Sequence, residues 1–211
     1  MSMSRIDVMK SLLRSAVRSA SEQLRRLDLP EPIRRTIADT LARSLTLRDA
    51  RLTAVVGRLP ALCAATVCVK PGTVQIDASL NDGSELQACL IPLGIAFAPR
   101  GAKDISFRVQ PPEAAGERAV CDAVGAIAAE LARAVWGPFL TLNRGEAEGG
   151  AFVEREGDIL RADLRTVPAV RAAMARAPLA LMMEALTVNA MVAEPGQLRL
   201  TLALPEMMRR W

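Results

Sequence analysis

The chain has 211 residues, 51% of them hydrophobic, a formal net charge of +4, and neither histidine nor tyrosine. That apolar content excludes a disordered chain, and the length allows one large domain or two small ones. Without histidine there is no Ser-His-Asp triad and no usual general base near neutral pH, and the commonest ligand of transition metals is missing, so neither an enzyme nor a cofactor is expected.

The basic excess is local. Residues 1–58 carry twelve Lys/Arg against six Asp/Glu, whereas residues 59–211 carry fifteen against seventeen. Such asymmetry suits an anionic partner or a solvated helix face. Ile6, Met9, Leu13, Val17, Ala20, Leu24 and Leu27 recur at helical spacing, with Arg5, Lys10, Arg14 and Arg18 mostly on other faces. This basic amphipathic helix has three readings: packing on the domain, self-association, or rest on a membrane surface. Pro30 and Pro32 break it, and a second helix is expected from Glu31 to Ser44 with Ile33, Ile37 and Leu41 on one face. Residues 1–45 thus read as an N-terminal helical region and residues 46–211 as an antiparallel α+β domain. No apolar run has signal-peptide length and no 18-residue apolar stretch lacks a charge, so a cytoplasmic protein, peripheral to a membrane at most, is expected. Abundant Ala, and Arg in excess over Lys, suit a GC-rich bacterial gene.

From about Asp49 the period reads as two, with Leu52, Ala54 and Val56 alternating as in a strand. Thr66–Val69 leads into the turn Lys70-Pro71-Gly72. Val74, Ile76, Ala78 and Leu80 then alternate with polar residues. Asn81-Asp82-Gly83 is a hairpin turn, because glycine accepts positive φ. Leu86, Ala88 and Leu90, then Ile105, Phe107 and Val109, continue an antiparallel meander with one polar face. Cys63, Cys68, Cys89 and Cys121 form no C-x-x-C pair, and the last three sit among apolar residues like small hydrophobes.

After Pro111-Pro112 a long helix is expected from Glu113 to Trp136. Val120, Val124, Ile127, Leu131 and Val135 form its stripe, and Gly137-Pro138 ends it. Residues 143–150 read as an exposed Gly- and Glu-rich loop. Ala151–Arg155 and Ile159–Leu164 read as strands, and Pro168–Ala177 as a helix that Leu179–Leu186 extends. Thr187–Ala193 and Gln197–Leu204 read as a last strand pair. Between strand and helix, either Asp163 pairs with Arg165 or Thr166 caps the helix behind Pro168. The segment 69–80 is echoed at 193–204: each has Pro before Gly and then an alternating strand. The echo is either an internal duplication or two independent hairpins.

No phosphate-binding glycine loop and no nucleophile elbow occurs, and basic residues without interleaved aromatics argue against nucleic acid. The acids Glu146, Glu148, Glu154, Glu156 and Asp158 fall in a loop and a turn, where solvated carboxylates are ordinary. More telling is the soft apolar stretch of Met174, Met182, Met183 and Met191, either core packing or an adaptable binding surface. With Val124, Ile127 and Leu131 these methionines are the expected lining of a site for lipid or another apolar molecule.

In the order of its meander, long helix and final hairpin, the stretch 45–205 resembles the tubular lipid-binding superfamily. The resemblance implies a strongly curved antiparallel sheet packed on a long helix, and binding of a hydrophobic ligand without catalysis. Many bacterial members are exported or lipid-anchored, whereas this chain shows no export signal. The expected function is therefore non-enzymatic binding of lipid or another apolar ligand. The alternative is a protein-interaction or scaffold domain, a homo-oligomer joined through the N-terminal helix. Arg5, Lys10, Arg14 and Arg18 would form the surface toward membrane or partner.

Overall fold

A computed structural model describes residues 44–97, 101–110, 117–140, 149–175, 180, 183 and 187–203. The two helices expected up to Ser44, with Arg5, Lys10, Arg14 and Arg18, lie outside these residues except for Ser44 itself, which begins a strand and not a helical turn. Glu146, Glu148 and Met182 also lie outside them.

The described residues form a mixed α+β structure with two antiparallel sheets. The chain runs β1 (Ser44–Arg48), α1 (Asp49–Val56), β2 (Leu62–Lys70), β3 (Thr73–Leu80), β4 (Glu85–Phe97), β5 (Lys103–Gln110) and α2 (Glu117–Leu140). It continues with β6 (Phe152–Glu156), β7 (Ile159–Asp163), a 3₁₀ turn (Leu164–Thr166), α3 (Pro168–Met174), β8 (Thr187–Glu194) and β9 (Gln197–Ala203). Six strands form one sheet in the order β2-β3-β4-β5-β7-β6, and three form another in the order β1-β9-β8.

The meander follows from its alternation. Val67 and Val69 on β2, Val74 and Ile76 on β3, Leu86 and Leu90 on β4, and Ile105, Phe107 and Val109 on β5 are buried, while the residues between them are largely polar and more exposed. Gly72, Gly83, Gly157 and Gly196 hold φ of 77°, 84°, 62° and 76° in the turns of the β2–β3, β3–β4, β6–β7 and β8–β9 hairpins, a conformation costly for other residues.

Two expectations are corrected. Asp49–Val56 is a helix, not a strand. Leu52 and Val56 are four apart, a spacing that fits both periods, but the third buried residue is Val55, and Ala54 faces solvent. The strand lies just before it: β1 pairs with β9, setting buried Leu45 opposite Leu200 and Leu47 opposite Leu198. Nor does Gly137-Pro138 end the long helix, which continues to Leu140. A proline there removes one helical N–H close to the C-terminus, where few turns remain to be lost. The burial of Trp136 and Leu140 on either side outweighs that loss.

Helix α2 is apolar on more than one stripe. Val120, Ala123, Val124, Ala126, Ile127, Ala128, Leu131, Ala132 and Val135 are all buried, the pattern of a helix enclosed by its neighbours. It touches α1, α3, β1, β4, β6 and β7. At Gly125 the approach is so close that a Cβ would stand 2.6 Å from the Ala151 carbonyl oxygen, and the Ala151 N–H donates to the Gly125 carbonyl at 2.9 Å. Only glycine fits there.

Candidate functional site

The two Pro-Gly turns that echo each other in sequence meet in space. The Gly72 N–H donates to the Ala193 carbonyl at 3.0 Å, and the Gly196 N–H donates to the Val69 carbonyl at 2.9 Å. Each glycine thus bonds the residue three before the other glycine, a reciprocal clasp between the β2–β3 and β8–β9 hairpins. Helix α1 closes the same corner. The Asp49 N–H donates to the Gly196 carbonyl at 3.2 Å, and an Asp49 carboxylate oxygen accepts from the Val69 N–H at 3.0 Å. One turn along, the Thr53 hydroxyl accepts from the Val67 N–H at 2.9 Å and donates to the Val67 carbonyl at 3.2 Å. Asp49 and Thr53 therefore stand in for a neighbouring strand along the outer edge of β2.

The well-buried carboxylates bond to arginines. Glu130, 4% exposed on α2, accepts from Arg51 Nε at 2.6 Å and from Arg133 Nη1 at 3.4 Å. The first contact ties α1 to α2. Asp104 accepts from Arg161 Nε at 2.9 Å and also from its Nη2, which pushes the Arg161 guanidinium pKa up. Asp163 binds the backbone N–H of Arg165 at 2.9 Å and its guanidinium at 2.8 and 3.0 Å. Burial pushes the Asp163 carboxyl up, but these bonds hold it below the usual carboxylate range. The expected ion pair is thus present. Thr166 is not the cap, since Val167 holds that place and the Thr166 hydroxyl accepts from the Phe152 N–H at 2.6 Å. Lys103, 1% exposed, sets its ammonium 5.1 Å from the Phe97 ring centre. Phe97 stacks on Trp136 at 5.3 Å, and the Trp136 indole N–H donates to the Met183 carbonyl at 3.1 Å.

Among the described residues no three Cys, Asp or Glu side chains are grouped to hold a metal ion. Glu154 and Glu156 lie exposed on β6, and Asp158 pairs with Arg108 at 3.1 Å. All four cysteines are free thiols, three of them half-buried, and burial pushes the Cys121 thiol pKa up. On the outward face of β2, β3 and β4 a groove of about 280 Å³ is lined by Ala64, Thr66, Asp77, Ser79, Glu85 and Gln87, among others. It is polar, and none of the residues expected to line an apolar site borders it.

Val124, Ile127, Leu131 and Met183 belong to the buried core, and Met174 and Met191 are half-buried against it. The exposed apolar side chains lie elsewhere. Leu93 on β4 is 42% exposed, Val192 on β8 is 48% exposed, and Phe152 stands out on β6. Strands β4 and β8 pack side by side but belong to different sheets. Each carries an irregularity: Pro92 pairs with Phe107 and Gly94 with Ser106, leaving Leu93 as a bulge, and the register of β8 shifts between Val188 and Ala190. Neither Ile91–Phe97 nor Thr187–Ala193 contains a charged residue. These two uncharged segments on adjoining strands are the candidate site, and Arg199, which pairs with Glu194, lies opposite Val192 across the β8–β9 ladder.

The sequence reading missed Leu93 and Val192. The signal was the seven-residue apolar run around Pro92, which fits no alternation and so marks a strand segment outside the amphipathic meander. Among the described residues no helix is long and apolar enough to cross a membrane. Comparison with protein-family models, with curated proteins and with solved structures finds no match for this chain.

Proposed function

We propose that this chain is a non-enzymatic binding domain for lipid or another apolar molecule, and that β4 and β8 form its contact surface. The observation that carries the reading is the exposure of Leu93 and Val192 on uncharged segments of two adjoining strands that belong to different sheets. A sheet joint of this kind costs less to part than a continuous ladder, because fewer backbone bonds are broken. A curved sheet around α2, in the manner of tubular lipid-binding proteins, belongs to the same reading. The test is native mass spectrometry of the full-length chain, with uptake of a fluorescent fatty acid measured in parallel. Bound lipid mass and saturable uptake are expected; a bare chain that takes up no probe would sink the reading.

A second reading is favoured by the charge segregation. The basic N-terminal region would rest on an anionic membrane or join a partner or second copy. Reversing Arg5, Lys10, Arg14 and Arg18 to Glu together is expected to abolish binding to vesicles containing phosphatidylserine, or to lower the oligomeric mass in light scattering. If both are unchanged, that reading is wrong.

A further inference from the structure

We draw no further inference here: the strongest candidate, the shallow groove on the outward face of β2, β3 and β4 where Asp77 and Glu85 stand, is an acidic cluster with nothing in the structure to show what covers it.

Discussion

The outer edge of β2 and the side of β8 that meets β4 pose the same problem and receive different answers. Each is a strand in a hairpin with a Pro-Gly turn, and each leaves backbone polar groups facing away from its hairpin partner. Along β2 those groups are satisfied by Asp49, Thr53 and the clasp to Gly196. Beside β8 lies β4, which supplies packing but no ladder. An edge whose polar groups are matched one by one becomes part of the fold. An edge that is only packed is free to part locally, and this is what makes the β4–β8 seam a better candidate for function than the corner at β2.

The comparison can be broken first at β2. Thr53→Val keeps the shape of the side chain and removes both hydrogen bonds to Val67, leaving a half-buried N–H and carbonyl without partners. Each such group costs about 1–3 kcal/mol, so a fall of that order in urea-unfolding free energy is expected. Asp49→Ala removes the acceptor for the Val69 N–H and an acid from the first turn of α1, which adds about 0.3–1 kcal/mol through the helix dipole. The double variant should show the largest loss of stability. A double variant with wild-type stability would mean that solvent serves the β2 edge as well as α1 does.

A smaller effect tests whether the clasp is as symmetric in energy as in geometry. At Gly72 and Gly196 an added Cβ meets nothing within 4 Å, so Gly→Ala reports backbone strain alone. Left-handed backbone costs a residue with a Cβ about 1–2 kcal/mol. Gly83 has similar φ and equally open space, but its N–H bonds only within its own turn, to the Leu80 carbonyl. Gly83→Ala can relax; the clasped turns cannot relax without losing bonds to each other. Gly72→Ala and Gly196→Ala should therefore lower stability about equally and more than Gly83→Ala. Three equal losses would reduce the clasp to two ordinary turns in contact.

The sequence carried the meander, the long helix and the last hairpin because their signals are local: alternation, a helical stripe and turn glycines. It misplaced the first strand because Leu52 and Val56 fit both periods, and what decides between them is the pairing of Leu45 and Leu47 with Leu200 and Leu198, roughly 150 residues away. The Pro-Gly echo was legible as a pattern, but no local rule says that two such turns will bond each other. The candidate site was read only in part. Met191 was singled out, yet the emphasis fell on Val124, Ile127 and Leu131, because hydrophobicity along a chain cannot tell a core residue from an exposed one. Burial makes that distinction.

That distinction sets the last and smallest expected change in stability. Leu93 and Val192 are already about half in solvent, so Leu93→Ser and Val192→Ser should each lower unfolding free energy by only about half the full burial value of such a side chain, about 0.7–1.5 kcal/mol. Ile127→Ala in the core should cost about 2–5 kcal/mol. Fatty-acid uptake should respond in the opposite order. Both surface variants weaken it while folding normally, and the milder core change Ile127→Val leaves it intact at a cost of about 0.5–1.5 kcal/mol. If Ile127→Val weakens uptake and the two serine variants do not, the ligand contacts lie around α2 and the seam is only a joint between sheets. If the serine variants alone weaken it, the interior is packed core and binding belongs to the edge that the fold leaves without a ladder.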